Sequence, residues 1–129
     1  MSADVGGPRQ TGRVTQKRNV HEVLNQVREL WSPHVVGEVN DYDIKAANVE
    51  GEFLEHVHED TDEVFLVITG RLHLDLPDRT VTLDPMDLFT VPRGVRHRPR
   101  AEPGTRIVMV EPRGTTQDGT EKGGAGHRL

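Results

Sequence analysis

Residues 51–70 read GEFLEHVHEDTDEVFLVITG, and this stretch decides the fold. On an extended strand, side chains two apart face the same side. Leu54, His56 and His58 therefore point one way, and Phe53, Glu55 and Val57 the other. The polar turn EDTD follows, then a second run in which Glu63, Phe65 and Val67 share a side. If the two runs lie antiparallel, Glu63 comes to stand beside the two imidazoles. A carboxylate among neutral imidazoles is a donor set suited to a divalent first-row metal.

A second stretch, residues 83–100, reads LDPMDLFTVPRGVRHRPR. Pro92-Arg93-Gly94 predicts a turn, since proline presets one φ and glycine permits the next. His97 follows as the chain re-enters a strand. Alternation places His97 and Pro99 on one side and Arg96, Arg98 and Arg100 on the other. If His97 faces inward, the arginines face outward, toward the acidic middle of the chain.

Working outward, residues 35–111 hold eight short runs rich in Val, Ile, Leu and Phe: VVGEV, YDIKAANV, FLEHVH, EVFLVITG, LHLDL, TVTLD, DLFTVP and RIVMVE. Seventeen valines favour strands. Turn signals recur every eight to twelve residues, which predicts an all-β antiparallel barrel or sandwich. Helical crossovers have no room, so a parallel α/β sheet is excluded. Before the barrel, residues 19–31 (NVHEVLNQVRELW) space Val20, Val23, Leu24, Val27, Leu30 and Trp31 along one helical face. Asn19 and Glu22 form a capping box, and Ser32-Pro33 stops the helix. Residues 1–18 read as a flexible segment, and residues 112–129, with five glycines and two apolar residues, as a disordered tail.

The chain has 129 residues, enough for a single domain, and no cysteine, so any metal must be held by His, Asp or Glu. No apolar run approaches the roughly 18 residues of a membrane span, and the start of the chain lacks the apolar core of a signal peptide. A cytoplasmic protein without a membrane partner is expected. Residues 34–92 carry 14 acids against three bases, and residues 93–113 six bases against two acids. With five aromatics in all, this balance argues against nucleic acid as a partner. The only serines, Ser2 and Ser32, lie outside the barrel, so acyl transfer through serine is set aside. His21, His34, His73 and His127 fit no ligand spacing and read as surface or satisfied histidines; Glu59, Asp60 and Asp62 read as solvated turn residues.

His56-x-His58, Glu63 after four residues, Gly70 after six more, and Pro92-x-Gly94-x-x-His97 together resemble the two motifs of the cupin superfamily. The resemblance spans residues 35–111 and is closest to small single-domain cupin 2 conserved barrel proteins, often labelled mannose-6-phosphate isomerase-like. It implies an antiparallel cupin β-barrel (jelly roll), here with one short N-terminal α-helix, and one divalent metal ion (Zn, Fe, Mn or Ni) per chain held by His56, His58, Glu63 and His97. Three positions depart from the motifs: Gly51 stands one residue too close to His56, Met86 replaces a glycine, and Ala101 replaces an asparagine. Strand alternation lines the pocket with Leu54, Phe65 and Val67. The resemblance implies a metal-dependent enzyme on a small oxygenated metabolite, of dioxygenase or isomerase/epimerase type. A non-catalytic small-molecule binding or sensing cupin is the alternative, and a metal that acts only as a strut is a third. No acid, base or substrate anchor beyond the ligands can be named, and no sugar-phosphate activity is carried over. Exposed strand edges on a small barrel predict a homodimer.

Overall fold

A computed structural model describes residues 15–116. Its strands are β1 (His34–Val39), β2 (Tyr42–Glu52), β3 (Glu63–Thr69), β4 (Leu72–Asp75), β5 (Thr80–Leu83), β6 (Leu88–Val91) and β7 (Arg98–Pro112). All pair antiparallel, in the order β1-β2-β7-β3-β6, with β4 between β5 and β7. This is the all-β antiparallel barrel that the alternating runs predict, with the topology that the resemblance implies.

The long strand β7 turns the sheet upon itself. Its second half lies between β2 and β3, Val108 pairing with both Ala46 and Leu66. Its first half lies between the end of β2 and β4, Arg100 pairing with Glu52 and His73. Between the halves the register against β2 slips, from Val49↔Thr105 to Gly51↔Ala101, at the Glu102-Pro103-Gly104 corner. A bulge of this kind bends a strand and increases its twist. The next corner is tighter. Gly70, which joins β3 to β4, has a φ of 84°, and a Cβ there would lie 2.3 Å from Thr105 Oγ1. Only glycine fits this close crossing.

Alternation sorts the two faces. Glu63, Phe65 and Val67 of β3 are buried inside, with Ala47, Val49 and Ile107 of the neighbouring strands, while Val64, Leu66 and Ile68 are half-buried outside. On the outer face, helix α1 (Val20–Leu24) packs Leu24 against Val36, Ala46 and Val108. Full burial of that leucine contributes about 1.5 to 3 kcal/mol.

Three expectations are corrected. The helix was expected over 19–31 but spans only Val20–Leu24. Asn19 caps it, its side chain accepting from the Glu22 N–H at 3.0 Å. At the other end the Asn48 amide on β2 donates to Leu24 O at 3.0 Å and Val27 O at 3.1 Å, and Trp31 donates its backbone N–H to Asn48 O at 2.8 Å. Tertiary hydrogen bonds thus unwind the last turns that periodicity alone would continue. The run FLEHVH is not a strand: it contributes one isolated bridge, His56↔His97, because β2 extends to Glu52 and β7 starts at Arg98. The C-terminal boundary also moves. Pro112 ends β7, and Thr115 and Thr116 are buried, so the segment expected to be a tail from 112 is packed at least that far. Residues 1–14 and 117–129, including His127, lie outside the described residues. Among the described residues no helix is long and apolar enough to cross a membrane.

Candidate metal centre

Backbone hydrogen bonds bring the two motifs together. His56 N donates to His97 O and His97 N to His56 O, both at 2.9 Å; Phe53 N donates to Pro99 O at 2.9 Å and Gly94 N to His58 O at 2.8 Å. Gly94 has a φ of 76°, which supplies the left-handed step of the predicted Pro-Arg-Gly turn. The loop with His56 and His58 is therefore fixed to the loop before His97, while Glu63 opens β3 alongside.

Each of two imidazoles is oriented by a backbone carbonyl. His56 Nδ1 donates to Leu54 O at 2.8 Å and His97 Nδ1 to Val95 O at 2.9 Å. A carbonyl can only accept, so the proton sits on Nδ1 and the Nε2 lone pair is left for a ligand. Glu63 Oε1 lies 3.5 Å from His58 Nε2 and 3.4 Å from His97 Nε2. Donors about 2.1 Å from a metal stand about 3.0 to 3.4 Å apart at octahedral or tetrahedral angles, close to these separations. The candidate ligand atoms of His56, His58, Glu63 and His97 all lie within 4.8 Å of one another, and all four residues are buried. Among the described residues, none is a hydrogen-bond partner of Glu63 Oε1 or His97 Nε2. Buried polar atoms are rarely left so unless an ion or water completes them. These four residues could hold a divalent metal ion.

Behind the cluster stand two residues that sequence reasoning missed. Lys45 Nζ donates to Glu111 Oε2 at 2.7 Å and to Thr115 O at 3.0 Å, and all three residues are buried. Burial, then the hydrogen bond and charge of Glu63, push the Glu111 carboxyl up to about 10, against the pull of Lys45. Burial would push Glu63 up as well, but its hydrogen bond to Glu111 and the neighbouring His58 and His97 outweigh it and hold Glu63 below the usual carboxylate range. The two carboxyls thus shift in opposite directions, Glu111 toward the protonated form and Glu63 toward the ionised one. Burial, reinforced by the nearby His97, lowers His56 and keeps it neutral despite its bond to the Leu54 carbonyl. A signal for Lys45 and Glu111 existed. Both occupy the inward register of apolar strands, Lys45-x-Ala47-x-Val49 and Ile107-x-Met109-x-Glu111, where charge is costly unless partnered.

A small cavity of about 30 Å³ borders the cluster at His56 and Glu63. Phe65, expected to line the pocket, does so; Val67 is fully buried in the barrel core and does not. Leu54 is 63% exposed. The expectation for it assumed strand alternation, but residues 53–55 are not in a strand, and Phe53 takes the inward place. Arg98 and Arg100 face away and meet Asp75 at 3.7 and 2.6 Å. Asp62 is more than a solvated turn residue, since its carboxylate accepts the Arg93 N–H at 2.8 Å and ties the two motif loops. His21 accepts from Arg106 at 2.8 Å, His34 Nδ1 donates to Ser32 O at 2.8 Å, and His73 meets Thr82 and Glu102. An open groove along α1, lined in part by Lys17, Arg18 and His34, shares no residue with the cluster.

The sequence profile of the Cupin domain matches residues 46–111, which include all four clustered residues. The chain belongs to the cupin family. This cupin is 33% identical over 99 residues to the uncharacterized protein YdbB of Bacillus subtilis (strain 168), a match covering 76% of this chain and 88% of that one. A crystal structure of a cupin-2 domain containing protein from Shewanella frigidimarina NCIMB 400 superposes with a TM-score of 0.72 at 41% identity, over 74% of this chain and 94% of that one. Protein NMB1881 from Neisseria meningitidis superposes with a TM-score of 0.68 at 26% identity, over 75% and 99%. Lys45 lies one residue before the matched span, and Trp31 well before it.

Proposed function

We propose that this cupin binds one divalent metal ion per chain through His56, His58, Glu63 and His97 and acts on a small oxygenated molecule, as an enzyme of dioxygenase or isomerase/epimerase type. The observation that carries the reading is the pair of buried atoms without hydrogen-bond partners, Glu63 Oε1 and His97 Nε2, in a cluster that borders a cavity. A metal serving only as a strut would need no such access. When bound, a divalent ion polarises an oxygen donor and lowers the pKa of a bound water. The protein's part is positional. The Leu54 and Val95 carbonyls fix two imidazoles, Glu111, itself held by Lys45, stands beside the Glu63 carboxylate, and Phe65, Ile107 and Met109 line the inner wall.

One observation favours the alternative, a binding or sensing cupin. Besides the cluster itself, Glu111 is the only titratable residue among the described residues that lines the cavity, and its Oε2 is already held by Lys45. Metal analysis of protein purified without a histidine tag tests the shared premise: about one ion per chain is expected, with His58→Ala and Glu63→Gln well below. Full occupancy in both variants refutes it. Dioxygen uptake and epimerisation assays on ligands found by thermal shift then separate enzyme from sensor.

The assembly we propose is a homodimer. Edge strand β6 presents Leu88, 59% exposed, opposite half-buried Leu66, and Met86 is exposed beside it. A second copy set against this edge covers them. Light scattering showing a single 14.4 kDa chain at micromolar concentration would refute the dimer.

A further inference from the structure

Strand register sets three buried charged side chains side by side on the inner face of the barrel. β3 and β7 pair with Val64 opposite Val110 and Phe65 opposite Met109, so one step further Glu63 falls opposite Glu111. On the other side of β7, β2 pairs with Lys45 opposite Met109, which puts Lys45 on the diagonal from Glu111. Opposed residues have Cβ atoms about 4.5 to 5.5 Å apart and diagonal ones about 7 to 8 Å, within reach of a long side chain. Glu111 thus stands between the buried cation and the carboxylate of the cluster. Its Oε2 accepts from Lys45 Nζ at 2.7 Å. Its Oε1 is buried with no hydrogen-bond partner among the described residues, and Glu111 borders the small cavity that Glu63 also lines.

Lys45 also reaches beyond β7. Its ammonium donates to Thr115 O at 3.0 Å. Thr115 belongs to a short strap, residues 113–116, that is itself fastened. The Arg113 N–H donates to Asp41 O at 2.8 Å, the Arg113 guanidinium meets Glu38 and Asp43 at 3.6 and 3.8 Å, and Thr115 donates its N–H and its hydroxyl to Pro112 O at 3.1 and 2.7 Å. Gly114, with a φ of 90°, turns the chain, and Thr115 and Thr116 beyond it are buried. A buried ammonium is tolerated only where its donors find acceptors. Here one acceptor is the carboxyl opposite Glu63 and another is the strap.

We propose that Lys45 is a positioning residue of the metal centre: with Glu111 it braces the Glu63 carboxylate for a divalent ion, and through Thr115 O it couples that brace to the strap. The proposal rests on the four-residue cluster being the metal centre. Residues that orient a ligand from behind change metal affinity by roughly 10- to 100-fold. Charge alone acts with the opposite sign, because removal of a nearby cation favours a divalent ion. The direction of the change therefore separates positioning from charge.

The test is zinc affinity, measured on the full chain by competition with a chromophoric chelator. Fluorescence of Trp31, the only tryptophan, which stacks on Phe53 at 5.0 Å in the cavity wall, verifies that each variant is folded. Lys45→Met should bind zinc roughly tenfold more weakly than wild type. Lys45→Met with Glu111→Leu, which leaves neither buried group unmatched, should also bind more weakly, and it decides if the single variant does not fold. Leu24→Ala, which removes packing on the outer face alone, should match wild type. Zinc loading should slow amide exchange of residues 113–116 in wild type and not in the double variant. Affinity in the Lys45 variants equal to or tighter than wild type overturns the positioning role, as does an equal loss in Leu24→Ala. Strap exchange that ignores zinc in wild type overturns the coupling. Uptake well below one zinc per chain in wild type overturns the metal centre and this proposal with it.

Discussion

The inner and outer faces of β7 carry charged groups of the same kinds with opposite outcomes. Inside, Glu111 and Lys45 back a carboxylate and three imidazoles; outside, Arg98 and Arg100 meet Asp75, and His73 meets Glu102. His73 has Thr82 Oγ1 on one ring nitrogen and the Glu102 carboxylate on the other, at 2.9 and 3.1 Å, so nothing is left to complete. His97 uses Nδ1 on a carbonyl and leaves Nε2 buried 3.4 Å from Glu63 Oε1. Bulk water supplies whatever the outer groups lack, whereas buried atoms left over inside call for an ion or ligand to complete them.

That contrast can be broken in four ways. The largest effect is expected from Lys45→Met, which removes the cation beside the Glu63–Glu111 pair. Loss of one partner of a buried pair costs about 3 to 5 kcal/mol, and Lys45→Met with Glu111→Leu should recover much of it. Urea denaturation of the three proteins measures this, and a single variant as stable as wild type would show the buried lysine to be dispensable. Next comes metal removal. A chelator should lower stability by about 3 to 4 kcal/mol if the ion is normally present at 100 to 1,000 times its dissociation constant. Calorimetry should show the shift in wild type and not in Glu63→Gln.

On the outer face Asp75→Asn should cost at most about 1 kcal/mol, because that pair is partly solvated, and should leave metal content unchanged. Its pH dependence has a definite sign. The hydrogen bond from Arg100, then that from Thr80, hold Asp75 below the usual carboxylate range. Its contribution is therefore present above about pH 4 and lost as pH falls further. The gap between wild type and Asp75→Asn should close on acidification, and a gap that widens would contradict the assignment. The smallest effect concerns Met86, which stands where the resembled motif has glycine and keeps the glycine conformation, with a φ of 72°. Relief of that strain by Met86→Gly should raise stability by a few tenths to about 1 kcal/mol, offset in part by unfolded-state entropy. Thermal melts decide its direction.

The barrel was legible in the sequence because it depends on local rules, and the four candidate ligands because their spacing resembles the cupin motifs. Period-two alternation places His56 with His58, Glu63 with Phe65, and His97 opposite the arginines, and turn chemistry at Pro92-Arg93-Gly94 sets the second motif. Alternation failed where the chain leaves the ladder. Residues 53–55 lie outside any strand, with Leu54 turned outward and Phe53 inward. Helical periodicity failed beyond Leu24 because Asn48, on a strand distant in sequence, took the carbonyls of Leu24 and Val27.

By itself, then, the sequence determined a single antiparallel barrel and which residue types share its inner face, since both follow from spacing along one chain. Only the tertiary structure decided that Lys45 and Glu111 stand behind Glu63, that Trp31 closes over Phe53, and that Thr115 joins the buried network. Those pairs are 66, 22 and, from Lys45 to Thr115, 70 residues apart. No local period connects such positions. They meet because closing the barrel brings β2, β7 and the segment before β1 around one interior, where burial makes every unmatched charge find a partner.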